Sequence, residues 1–289
     1  IGRMKMEERD NLRRDIDMKQ EKTVLKEDWY MVWRYLFYTF TIAWVTEFLL
    51  IALYHFNLLN GNIAIVVHFT VIGFGAGMAP AYAAFIVQKK HSNITFKEFC
   101  RQIFYTENIR KSVVFLIVFA LIQFVACVVQ EDYLGNPWYL FILFMPMMIL
   151  GGGLEEVGWR GVFQPLLEKH FSFWAAALIE GVIWSVWHLP LWLVPNTSQG
   201  TYDFTAFTLY CITIGLTLAA AYRLTKSVWV TILIHAWGNT VLGGMYTLTS
   251  LNNFPNMKTL IVYGIQIALI MIILFFQNKY DKYRKVQNA

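Results

Sequence analysis

The sequence predicts an all-α, polytopic membrane protein of about eight transmembrane helices, and three observations carry that reading. Apolar residues make up 57% of the chain against 15% charged, with a mean hydropathy of +0.46, too little charge to cover a soluble domain of this length. Apolar runs of roughly 20 residues recur, the length of helix that crosses a hydrocarbon core. Lys and Arg fall in alternate gaps between those runs, the pattern that sets membrane topology. Aromatics at 17% suit Trp and Tyr at both membrane interfaces. The net charge of +5 is dispersed in short blocks; a nucleic-acid surface would gather it on one face.

Residues 1–28 alternate acids and bases, as in Glu7-Glu8-Arg9-Asp10, and read as a charged cytoplasmic N-terminal segment too polar for lipid. They lack the apolar centre of a cleavable signal peptide. A membrane domain is expected over 29–278, with spans near 33–55, 63–87, 112–130, 138–158, 173–194, 204–224, 228–249 and 258–277, then a basic cytoplasmic tail over 279–289. The gap after the second span carries Lys89, Lys90, Lys97, Arg101, Arg110 and Lys111, and the next even-numbered gaps carry Arg160 with Lys169 and Arg223 with Lys226. The gaps near 56–62, 131–137 and 195–203 hold no Lys or Arg, and only Lys258 marks the last. That alternation places both termini in the cytoplasm, with a bacterial plasma membrane as the expected location. Cys100, Cys127 and Cys211 have no metal-ligand spacing and read as small hydrophobes, with no structural disulfide expected.

An ionisable side chain inside a span costs roughly 2.5–3.5 kcal/mol on insertion scales, so each one needs a reason. The densest set is Gly151-Gly152-Gly153-Leu154-Glu155-Glu156-Val157-Gly158-Trp159-Arg160. Glu156 and Arg160 are four apart and meet on one helical face. Glu155 points away from that pair and is left unpartnered, the setting of a general base. The glycines let neighbouring helices approach closely. Taken alone, the two glutamates read equally well as a cytoplasmic helix end. His188 follows in Gly181-Val182-Ile183-Trp184-Ser185-Val186-Trp187-His188, where a lone histidine is more often a structural hydrogen-bonder. His235 and Asn239, again four apart, share a face of a later span, which helix packing would also explain. Three spans that each supply polar groups suited to one reaction are not explained by packing alone.

Glu155-Glu156-x-x-x-Arg160, then Trp184-x-x-x-His188, then His235-x-x-x-Asn239 resemble the three ordered motifs of the CAAX protease and bacteriocin-processing (CPBP) family. Its members include the type II CAAX prenyl endopeptidases, described as intramembrane glutamic endopeptidases. The resemblance covers roughly residues 138–245, with one departure: Trp184 stands where Phe is usual, which keeps an aromatic wall. It implies that Glu155 is the base, that His188 helps hold the water, and that His235 and Asn239 stabilise the oxyanion. Glu156 and Arg160 would orient the helix and the first carboxylate. The implied substrate is a membrane-associated or prenylated protein or peptide, with membrane lipid as the other partner and no nucleic acid.

No cofactor is expected. The alternative is zinc held by Glu155, His188 and His235 with an open water position. The metal-free version is preferred, because the chain lacks His-Glu-x-x-His and an asparagine beside His235 suits an oxyanion better than a cation. A rhomboid-like enzyme would need a Gly-x-Ser-Gly serine, and a presenilin-like one two intramembrane aspartates; neither is present. A non-enzymatic bacteriocin-immunity or regulatory protein on the same scaffold is the alternative function, and a transporter with a proton relay is a third. Glu47 and Glu180 remain as buried carboxyls without an assigned role. One geometric conflict also remains. Glu155 counts to about 26 Å from the outer end of its span and His188 to about 22 Å from the cytoplasmic end of its own. A shifted boundary or break between 158 and 176, at Gly161 or Pro165, is the expected remedy.

Overall fold

The computed structural model describes residues 6–287, with side chains over 25–283. Residues 1–5 of the charged segment expected over 1–28, and 288–289 of the expected tail, lie outside the described residues. The architecture is all-α and polytopic. Helix α1 (Met6–His55) is continuous, with its apolar part at Leu25–His55, so position 28 marks a change of polarity within one helix. Then come α2 (Gly61–Ser92), α3 (Phe96–Ile103), α4 (Ile109–Gln130), α5 (Leu140–Glu168), α6 (Phe173–Trp187), α7 (Phe204–Thr225), α8 (Val228–Val241) and α9 (Met257–Gln287). Polar side chains start several of them: Asn108 caps Lys111, Ser172 caps Ala175 and Asp203 caps Ala206.

Among the described residues, seven helices are long and apolar enough to cross a membrane, one fewer than expected. The shortfall is α8, whose 14 residues extend only about 21 Å against a hydrocarbon core of about 30 Å. Hydropathy continues the run to 249, but the chain leaves the helix at Leu242, whose backbone is extended. It then turns at Gly243 with φ +82°, a left-handed conformation that glycine adopts freely.

The second correction concerns α5, which runs to Glu168 instead of ending near 158. Its first segment stops at Gly151, a 3₁₀ turn covers Gly153–Glu155, a π-turn covers Trp159–Phe163, and Gln164–Glu168 completes it. The irregularity thus begins ahead of the expected break. Gly161 lies in the π-turn, while Pro165 sits in the first turn of the last segment, where its missing N–H is tolerated. Counting back from Glu168 puts Glu155 about 20 Å deep, and counting on from Phe173 puts His188 about 22 Å deep. The two depths now agree.

Packing explains how the site is held. Among the seven spanning helices α7 is the most enclosed, with Thr213 and Thr217 returning their hydroxyls to carbonyls one turn back. Gly158 presses α5 onto α2, where a Cβ would collide with the Pro80 carbonyl and the Tyr35 hydroxyl. Trp44 of α1 donates its indole N–H to the Trp187 carbonyl of α6 at 3.0 Å. Outward rows such as Val45 and Leu49 on α1, Ile117 and Leu121 on α4, and Ile265 and Ile272 on α9 are exposed, a surface that fits lipid contact.

Candidate active site

Glu155 ends the 3₁₀ turn of α5 and is 4% exposed. Its Oε2 accepts the indole N–H of Trp184 at 2.8 Å. Sequence reading left this carboxylate unpartnered and assigned Trp184 only a wall; the fold makes the tryptophan its donor. The Trp184 carbonyl oxygen lies 2.8 Å from His188 Nδ1. A carbonyl only accepts, so Nδ1 carries the hydrogen and Nε2 presents a lone pair. One residue therefore orients both the carboxylate and the imidazole, and the rings of Trp187 and Phe207 brace His188 edge-on at 4.6 and 5.3 Å.

A second set of contacts is fully enclosed. Glu156, Arg160 and Glu180 are each 0% exposed. Arg160 pairs with Glu156 at 2.9 Å, as their spacing predicted, and also with Glu180 at 2.9 Å. It donates besides to the Gly215 carbonyl at 2.9 Å. Glu180 thus has a partner, and among the described residues it does not line the cavity of the other motif residues. Glu156 Oε1 lies 2.8 Å from His235 Nδ1. The resemblance gave Glu156 the task of supporting the first carboxylate; its direct contact is with His235 instead, 79 residues along the chain.

His235 and Asn239 project from one face of α8 toward the start of the 3₁₀ turn. A Cβ on Gly152 would collide with Asn239 Nδ2 and lie 3.2 Å from His235 Nε2. Glycine at 152 is what admits both nitrogens to this corner.

These groups share one space. A cavity of about 380 Å³ is lined by Glu155, Trp184, His188, His235 and Asn239, and by Glu47 of α1. All four residues that the resemblance marks as catalytic are therefore brought together from α5, α6 and α8. Tyr202, Tyr210 and Cys211 also line it, and no motif or spacing singled them out. Cys100, Cys127 and Cys211 are unpaired. Among the described residues, no three His, Cys, Asp or Glu side chains gather closely enough to hold a metal ion. The Nδ1 atoms of both histidines face Trp184 and Glu156.

Residues 136–241, which contain every motif residue, match the family model described as Type II CAAX prenyl endopeptidase Rce1-like. The segment that carries the motifs is thus similar to the CAAX protease family. CAAX prenyl protease 2 of Methanococcus maripaludis is 29% identical over 136 residues, 42% of this chain and 50% of that relative. The chain thus spans about half the length of this curated relative. Apolar spanning helices together with CAAX protease motifs make the chain an integral membrane protein.

Proposed function

We propose that the chain is an intramembrane endopeptidase that hydrolyses a peptide bond in a membrane-associated or prenylated, CAAX-like protein or peptide. The observation that carries this reading is the convergence of Glu155, His188, His235 and Asn239 on one cavity. Hydrolysis of an amide needs an activated water, donors for the oxyanion and a proton for the leaving amine. Glu155 and the free Nε2 of His188 take the water, the carboxylate as base and the imidazole as a second acceptor. Their common tether to Trp184 supports this division of labour.

His235 Nε2 and Asn239 Nδ2 then donate to the oxyanion. His235 Nδ1 already gives its hydrogen to Glu156, so donation from Nε2 needs a doubly protonated ring. Charge balance favours that state. Glu156, Glu180 and Arg160 sum to one negative charge when ionised, and an imidazolium brings the enclosed set to neutrality. A buried charge is tolerated only when it is paired in this way. Catalysis proceeds without a metal, with water activated by carboxylate and imidazole. Residues 29–278 act as the protease domain, and both termini lie on the cytoplasmic side, the side that the basic gaps mark.

The test is to incubate purified protein with prenylated and unmodified membrane peptides and to identify new termini by mass spectrometry. Cleavage by the unaltered chain, its loss in Glu155→Ala and its persistence with a strong chelator are expected. A folded Glu155→Ala protein with full activity would defeat the reading, and inactivation by the chelator with recovery on added zinc would replace its metal-free step.

A further inference from the structure

One carboxyl in the cavity has no place in the scheme above. Glu47 sits near the end of α1, is 1% exposed, and lines the same cavity as Glu155. Its Oε2 has no hydrogen-bond partner among the described residues. Glu180, the other carboxyl outside the catalytic set, is bound to Arg160 at 2.9 Å, and Glu131 is capped by Thr247, Thr249 and Ser250. A buried carboxyl with neither cation nor donor is costly to keep ionised, so it favours its acid form or waits for a group from the cavity's occupant.

The side chain is also held in place. One turn before it, Trp44 ties α1 to the Trp187 carbonyl, next to His188. Beside it, Thr46 returns its hydroxyl to Ile42 and Ala43, and its side chain packs against Gly75, 3.2 Å from where a Cβ would stand. The titratable groups that line the same cavity as Glu47 are Glu155 of α5, His188 at the end of α6, Tyr202 of the loop before α7, Tyr210 and Cys211 of α7 and His235 of α8; α2 adds only Ile72, Ala76 and Gly77. Glu155 and Glu47 are near enough to interact electrostatically. Two like charges in one poorly solvated cavity disfavour each other, which favours the acid form of one of the two carboxyls.

We propose that Glu47 is the proton donor to the leaving amine, an inference that rests on the endopeptidase reading. Glu155 removes one proton from water as the hydroxyl oxygen bonds to the scissile carbonyl carbon, whose π electrons move onto oxygen between His235 and Asn239. When the tetrahedral intermediate collapses, the C–N bond breaks and its electron pair takes the proton of Glu47. A carboxylic acid and a free amine result, with Glu155 protonated and Glu47 ionised. Transfer of that proton from Glu155 to Glu47, directly or through water, restores the starting state. The step needs no other reactant than water.

The test compares the unaltered chain with Glu47→Gln, Glu47→Asp and Glu155→Gln on one peptide in two forms, as the amide and as an ester with an acidic phenol leaving group. The phenolate departs without a proton. Glu47→Gln is expected to lower kcat on the amide about 100-fold with KM unchanged, and to leave ester hydrolysis within about twofold. Glu47→Asp keeps a proton and is expected to recover part of the amide activity. Equal losses on amide and ester, a rise in KM alone, or Glu47→Gln matching the unaltered chain would each overturn the proposal. Should Glu47→Gln not fold, Glu47→Asp decides, because a slower amide reaction with normal ester hydrolysis is again required. Failure of the endopeptidase reading looks different: the unaltered chain and Glu155→Gln would be equally inactive on both substrates.

Discussion

Two groups of polar side chains lie side by side in this bundle, built from the same residue types and treated in opposite ways. Glu156, Arg160 and Glu180 are wholly enclosed, and each is tied to a charged partner. Glu155, His188, Asn239 and Glu47 face a cavity and make few bonds with the chain. His235 joins the two, with Nδ1 on Glu156 and Nε2 in the cavity corner by Gly152. The difference teaches which glutamates hold the structure and which are left available to react. An enclosed charge is kept because its partners neutralise it, whereas bonding capacity left open in a cavity is capacity for a substrate and a water.

The largest effect expected on either group is at Glu155. Replacing it with Gln should reduce peptide cleavage by about 10⁴-fold, while the thermal transition of the purified protein stays close to that of the unaltered chain. Arg160→Met attacks the enclosed set instead. It strands Glu180 without a cation, leaves Glu156 only His235, and should cost about 3–5 kcal/mol of stability, read as a lowered melting temperature in detergent. Adding Glu180→Gln should return part of that loss, since one uncompensated charge is then removed. If Arg160→Met melted normally and only activity fell, the division between the two groups would be wrong.

Asn239→Ala removes one oxyanion donor and should lower kcat by roughly 10²–10³-fold, near 3–4 kcal/mol, with KM little changed. An unchanged kcat would take Asn239 out of the oxyanion corner. The smallest effect lies outside both groups, in α3, where the Thr95 backbone N–H and hydroxyl donate to Glu98 at 2.8 and 2.7 Å. Those bonds hold the Glu98 carboxyl below the usual carboxylate range. A carboxyl with a lowered folded pKa stabilises the fold above its unfolded pKa, and that contribution disappears as pH falls through the folded value. Amides in the first turn of α3 should therefore lose protection, measured against their intrinsic exchange rate at each pH, on acidification into that window. Thr95→Ala should speed the same amides about fivefold at neutral pH and leave cavity chemistry untouched.

Much of the site was legible because its parts lie at helical spacing. The pairing of Glu156 with Arg160 follows from a separation of four residues, as does the shared face of His235 and Asn239. Trp184 and His188 have the same spacing, yet the carbonyl contact between them involves backbone, which side-chain patterns do not advertise. The bond from Trp184 to Glu155 and the bond from Glu156 to His235 join distant segments. Neither residue type nor periodicity selects among the several donors and acceptors available. Glu47 was visible as a costly intramembrane carboxyl, but nothing in α1 alone told which side of the helix the cavity would occupy.

The sequence by itself determined the helices, the polar residues that a membrane tolerates only for a reason, and the alternation of basic gaps. It could do so because burying backbone and charge in hydrocarbon is expensive at every position, whatever the fold. The tertiary structure alone decided where α5 breaks, that α8 stops short of a full crossing, and which glutamate meets the arginine, the histidine or the open cavity. Those outcomes depend on helices packing at glycine contacts such as Gly152 and Gly158, and close packing is a property of the assembled bundle, not of any one span.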